Sequence, residues 1–93
     1  MKNKNFYYIK KLIKHSKMYG HNTYELYVYQ CKQNKMEFLG TTRQCTASTC
    51  GDKGEIWGFL QSQGIAPKKI DIFSDMYTYI KNNNINIIQL GDE

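Results

Sequence analysis

Glu55 and Asp75 are the residues whose type and setting best suit chemistry in this chain. Asp52, followed three residues later by Glu55, matches a capping box. Its side chain would accept from the backbone amide of Glu55, and Glu55 would reach back. Ser74-Asp75 likewise precedes a second helical pattern. Two carboxylates held together could bind a divalent cation that activates water. Mg²⁺ demands octahedral oxygen ligation and sheds water reluctantly, so Glu55 and Asp75 alone would hold it weakly. Cys31, Cys45, Cys50 and His21 offer a Cys₃His zinc set but lack a second closely spaced pair. Thiols that are buried or idle are the plainer reading. A cysteine nucleophile served by His15 or His21 rests on residue types alone. The chain has no phosphate-binding loop and no glycine-rich dinucleotide turn. The expectation is a protein that is not an enzyme, with no catalytic residue, no metal and no cofactor. Mg²⁺ at Glu55 and Asp75 is the weak alternative.

Charge points elsewhere. Residues 1–18 contain Lys2, Lys4, Lys10, Lys11, Lys14 and Lys17 and no acid, a charge of +6. The remainder holds seven bases and eight acids, so the whole net charge of +5 comes from the N-terminal segment. Such a segment attracts phosphate backbones through counterion release. The bland alternative is a solvated lysine edge that discourages aggregation. Arginine, the better phosphate fork, occurs once, at Arg43. Tyr27, Tyr29 and Arg43 would share one face of a strand pair and could stack on bases. The structural alternative is that these tyrosines are ordinary half-buried sheet residues.

The elements that would position these residues follow from periodicity. Residues 5–13 fit either a strand or a helix. Aromatic and β-branched enrichment favours a strand in the first half. As a strand, Phe6, Tyr8, Lys10 and Leu12 share one face, and Tyr7, Ile9, Lys11 and Ile13 the other. Residues 14–22, with Gly20 and Asn22, read as a loop. Residues 23–31 alternate clearly and make a strand. Residues 32–35 turn, with Asn34 suited to a left-handed conformation. Residues 36–43 return as the second strand of a hairpin, with Gly40 marking a bulge. Residues 45–51 read as a loop. A helix from Asp52 presents Ile56, Trp57, Phe59 and Leu60 on an apolar face and ends at Gly64, before Pro67. Gly58 inside that helix costs about 1 kcal/mol relative to alanine, which suggests close approach of a strand or a partner backbone. Ile70 and Ile72 alternating with Asp71 predict a short strand over 69–73. A second helix follows, broken by Asn82 to Asn84, then a strand over 85–90. The 69–73 strand is expected to pair in parallel with 85–90.

Ninety-three residues make one domain. A Lys-rich segment of residues 1–22 supplies a first strand plus a loop, and residues 23–93 a mixed α/β body. The 41% hydrophobic and 14% aromatic fractions argue against disorder. No apolar run approaches a membrane span, no secretory signal is visible, and no membrane partner is expected. Three cysteines suit a reducing cytoplasm better than a disulfide scaffold. The excess of lysine, asparagine and isoleucine fits an AT-rich coding sequence such as many phages or low-GC bacteria carry. For a phage product the compartment would be the host cytoplasm.

The order strand, hairpin, helix, strand, helix, strand resembles the ribonuclease H-like fold. That family has a three-stranded antiparallel meander, a helix, a parallel strand, a helix and a fifth strand. Asp52-Lys53-Gly54-Glu55-Ile56 resembles the start of its first helix, whose Glu binds metal. Ile70-Asp71-Ile72-Phe73-Ser74-Asp75, followed by Tyr77 and Tyr79, is similar to the end of its fourth strand. The resemblance implies an α/β (α+β, mixed-sheet) fold spanning most of residues 23–90. It also exposes departures. The family's bridging acid lies on the first strand, where this chain has Lys10 or Lys11, and no acid precedes Glu25. The resemblance therefore implies a reduced, catalytically silent relative, in which Lys10 or Lys11 replaces the missing cation beside Glu55 and Asp75.

Three functions are compatible with these features. The first is a small noncatalytic nucleic-acid-binding protein and regulator, with RNA favoured over DNA. It would use Lys2, Lys4, Lys10, Lys11, Lys14, Lys17, Tyr27, Tyr29 and Arg43. The second is a phage-type inhibitor that binds a host enzyme or defence protein directly. The third is a Mg²⁺-dependent nuclease completed by homodimerisation.

Overall fold

A computed structural model describes residues 5–46 and 50–92, the last of these by its backbone alone. Its elements run β1 (Asn5–Ser16), β2 (His21–Lys32), β3 (Lys35–Cys45), α1 (Gly51–Ser62), α2 (Met76–Asn82) and β4 (Asn86–Asp92). The four strands form one mixed sheet in the order β3-β2-β1-β4. β1, β2 and β3 make an antiparallel meander, and β4 returns alongside β1 in parallel. A parallel return needs a crossover, and residues 46–85 with both helices supply it. The sequence left residues 5–13 between strand and helix. They are strand, and β1 lies in the middle of the sheet.

Local chemistry explains the turns. β2 and β3 are joined by Gln33 and Asn34, both with positive φ (51° and 65°), as a two-residue hairpin turn of the primed type requires. Gly40, at φ 142°, sits where β3 slips register against β2, with Leu39 left over between Phe38 and Gly40. α1 ends in a Schellman motif. Gly64 is left-handed at φ 76°, its amide bonds Gln61 O, and the Ile65 amide bonds Leu60 O at 2.9 Å. α2 ends the same way, with Asn84 at φ 54° and the Ile85 amide on Ile80 O at 3.0 Å.

Strand alternation sorts the sheet into two unlike faces. Every buried strand residue (Phe6, Tyr8, Leu26, Val28, Gln30, Gln44 and Ile87) lies on one of them. That face meets Ile56, Trp57 and Leu60 of α1, Met76 of α2, and Ala66 and Ile85 of the connections. On the opposite face no described strand residue is fully buried. The shortest dimension of the molecule, 19 Å, matches one sheet plus one helical layer.

Three expectations need correction. Residues 69–73 are a chain of turns and form no strand, so β4 takes β1 as its parallel partner. The apparent alternation has another cause. The carbonyl of Ile70 accepts from Trp57 Nε1 (3.3 Å) and Gln61 Nε2 (2.8 Å), and Ile72 lies against Gly54 and Gly58 of α1. Asp71 accepts from the Phe73 amide and the Ser74 hydroxyl, an Asx-type turn. The close approach of a strand or partner backbone expected at Gly58 is not found: a Cβ there would meet the Ile72 side chain at an ordinary 3.5 Å, and the tight approach falls at Gly54 instead. Secondly, residues 14–22 are not one loop. β1 continues to Ser16 and β2 begins at His21, leaving a four-residue turn closed by a 2.7 Å bond from the Gly20 amide to Ser16 O. Thirdly, α1 has no capping box. Cys50 is its N-cap, without a side-chain cap bond, and Asp52 turns towards the sheet.

Candidate nucleic-acid interface

Asp52 ties the first turn of α1 to the covered face of the sheet. It accepts from the Tyr8 hydroxyl at 2.9 Å and pairs with the Lys10 ammonium at 3.2 Å. The same ammonium stands 4.3 Å from the centre of the Tyr24 ring. The Tyr24 hydroxyl accepts from Asn22 Nδ2, whose carbonyl oxygen meets His15 Nδ1. Lys10 and Asp52 are about four-fifths buried. Lys10 is therefore a structural cation on the helix-covered face.

The expected lysine beside Glu55 and Asp75 is not found. Among the described residues no lysine pairs with either acid. Glu55 accepts from the Cys50 thiol at 3.4 Å, and Asp75 is the exposed N-cap of α2. No group of three or more His, Cys, Asp or Glu side chains converges among the described residues. That donor set fits neither the Mg²⁺ site implied by the ribonuclease H-like resemblance nor the Cys₃His zinc alternative, so no metal-dependent step can be built on it.

The opposite face is built by register. Tyr7 lies across from Tyr29, and Tyr29 from Phe38. In the next row Ile9, Tyr27 and Thr41 stand side by side, and in the one after it Lys11, Glu25 and Arg43. A bulge at Ile13 then brings Lys14 opposite Thr23, again on this face. β4 adds Ile88 beside Tyr7. Tyr29 and Phe38 pack with ring centres 5.2 Å apart. The Tyr27 hydroxyl donates to Glu25 at 2.7 Å. Lys11, Lys14 and Arg43 are exposed, so three cations border the aromatic rows against the single carboxylate of Glu25. No family model matches the chain, and no curated protein and no solved structure matches it either.

Of the residues proposed from sequence, the structure brings Tyr27, Tyr29, Arg43, Lys11 and Lys14 onto one face. It sets Lys10 on the other face and Lys17 in the turn after β1. Lys2 and Lys4 lie outside the described residues. Sequence reasoning missed Tyr7 and Phe38 as members of the aromatic rows. The alternation of Tyr7, Ile9 and Lys11 carried a signal for the first. For Phe38 the slip at Gly40 reverses the parity of β3, and parity is all that sequence offers.

The arrangement can do two things. Half-buried rings held by cross-strand neighbours offer flat apolar area at little further entropy cost, which suits base stacking. Exposed ammonium and guanidinium groups along the same face suit a phosphate backbone.

Proposed function

We propose that the protein is a noncatalytic nucleic-acid-binding protein that takes single-stranded RNA across the bare face of its sheet. The observation that carries this reading is the strand register. It aligns Tyr7, Tyr29 and Phe38 in one row and Ile9 and Tyr27 in the next, beside Lys11, Lys14 and Arg43. A four-stranded sheet with aromatics on its free face is a recurring platform for unstacked bases. Single strands suit it better than duplex, whose base faces are hidden in the stack.

Fluorescence anisotropy with a labelled single-stranded RNA, titrated with salt, tests the proposal. The expected result is a linear fall of log K with log salt, and about a ten-fold or greater loss of affinity for Tyr27→Ala or Tyr29→Ala. No binding at low salt would overturn it. A single-stranded DNA of the same sequence tests the preference for RNA, for which a 2′-hydroxyl contact is needed.

A second reading, a direct inhibitor docking on a host protein, draws on the apolar exposure of the same face. Phe38 is 53% and Ile88 43% exposed. Partner capture that persists in high salt and is lost with Phe38→Ser would favour it over RNA. As to fold, the meander β1–β3, the following helix and a final strand parallel to β1 support a reduced ribonuclease H-like arrangement. The strand between the helices is missing from it.

A further inference from the structure

The bare face does not stop where the helical layer stops. β4 leaves β1 at Lys10, and the chain after β3 leaves β2 at Asn22, where Thr46 still exchanges two hydrogen bonds with it. Beyond Lys11 every residue up to Gly20 is exposed except Ser16, which is half-buried. The two strands thus project as an arm. At its tip Tyr19 is 69% exposed, and its ring stacks on that of His21 at 6.2 Å and 24°. β2 runs without a bulge from His21 to Val28, so His21 has the same parity as Thr23, Glu25 and Tyr27. Tyr19 is therefore held on the side of the sheet that carries the aromatic rows. Lys14 lies between the two aromatic sets, and Lys17 sits in the turn. No acid lies on the arm, because Glu25 is the first in the chain.

We infer that Tyr19, backed by His21, is a second base-stacking station, and that the ligand is a single strand long enough to reach both stations. This rests on the RNA reading of the sheet face. The six steps of extended strand from His21 to Tyr27 cover roughly 20 Å. At about 3.4 Å per nucleotide in a stacked strand, and more in the splayed strand such a platform takes, that distance takes at most about six nucleotides. Lys14 meets the backbone between the stations. A strand too short to span them binds at the rows alone and is blind to the tip.

The test compares single-stranded RNAs of about two nucleotides, too short to span the stations, and about twelve, within the site sizes usual for such platforms. The wild-type, Tyr19→Ala, Tyr19→Phe and Tyr27→Ala proteins are measured at one salt concentration. The expected result is that Tyr19→Ala weakens the long RNA about ten-fold and leaves the short one unchanged. Tyr19→Phe should keep wild-type affinity, and Tyr27→Ala should weaken both RNAs. Because Tyr19 lies at an exposed tip, its replacement leaves the domain folded, which a thermal melt verifies. If Tyr19→Ala leaves the long RNA unaffected, or weakens both lengths alike, the second station is overturned. A Tyr27→Ala loss in the same experiment would keep the sheet-face reading intact. Failure of both RNAs to bind the wild-type protein would overturn the two together.

Discussion

Replacing Asp52 by alanine should cost more than replacing Lys10 by methionine, although each change removes the same ion pair. The pair is neither at the surface nor fully buried, with side chains 21% and 17% exposed. Its worth therefore lies between the ~0–1 kcal/mol of surface pairs and the several kcal/mol lost on breaking a buried one. The asymmetry comes from what each partner leaves behind. Without Asp52, the Tyr8 hydroxyl loses a charged acceptor at 2.9 Å, a bond type worth about 1.5–3 kcal/mol. Among the described residues Lys10 keeps the Tyr24 ring at 4.3 Å, which offsets part of its burial. Without Lys10, Asp52 keeps the Tyr8 hydroxyl and its place in the first turn of α1, where the helix dipole favours an anion by about 0.3–1 kcal/mol. Methionine also refills much of the lysine stem. The expected losses are about 2–3 kcal/mol for Asp52→Ala and about 1 kcal/mol or less for Lys10→Met. For a domain of this size the first corresponds to a drop of about 10–20 °C in Tm. Urea unfolding of both single variants and the double variant supplies the cycle. Equal losses, or a larger one for Lys10→Met, would refute the assignment of Asp52 as the hub.

Other expectations follow from the same geometry. Gly40→Ala should destabilise by about 1–3 kcal/mol in urea unfolding, since φ is 142° and a Cβ would lie 3.0 Å from the Phe59 ring. Gly54→Ala and Gly58→Ala should differ in sign. At Gly54 a Cβ would stand 2.6 Å from Cys50 Cβ and 3.1 Å from Ile72, whereas at Gly58 it would meet Ile72 at an ordinary 3.5 Å. The first should therefore destabilise, and the second should gain about 0.5–1 kcal/mol of helix propensity, both read by thermal melts. In RNA binding, Lys11→Gln and Lys14→Gln should each reduce the slope of log K against log salt by about 0.7, while Lys10→Met leaves it unchanged. Glu25→Gln, which removes the carboxylate between Lys11 and Arg43, should raise affinity in the same assay.

What could be read from sequence was whatever a short stretch decides by itself. Asn34 and Gly40 announced a turn and a bulge, because positive φ is a local steric demand. Gly64 and Asn84 ended helices for the same reason. The strand assigned to 69–73 failed because alternation reports only that successive residues face opposite ways. Here Ile72 faces two glycines of α1, the Ile70 carbonyl is held by Trp57 and Gln61, and Asp71 closes a turn. The contacts to α1 join residues distant along the chain, and neither they nor the Asp71 turn shows in a period-two pattern. Asp52 failed likewise as a cap. A carboxylate in a helical first turn has a choice between its own amides and a tertiary partner. The Tyr8 hydroxyl and Lys10 ammonium, 44 and 42 residues away in sequence, won.

The candidate site was half legible for a related reason. The excess of lysine marked the first strand as a candidate, and parity split that strand into Tyr7, Ile9 and Lys11 against Phe6, Tyr8 and Lys10. Which set would face solvent depended on where the helices lay. The covered side is the one whose residues can satisfy a buried load. Phe6 and Tyr8 are fully or almost fully buried there, and Lys10 is tolerated because Asp52 reaches it from α1. Putting Tyr7, Ile9 and Lys11 under the helices instead would have buried Glu25 and Arg43 across from Lys11, three charges in one row with no helical partner assigned. Burial of Phe6, Leu26 and Val28 thus selects which face is core, and the pair at Asp52 lets Lys10 lie on it. That selection leaves the tyrosines, Lys11, Lys14 and Arg43 together on the side that remains open to a ligand.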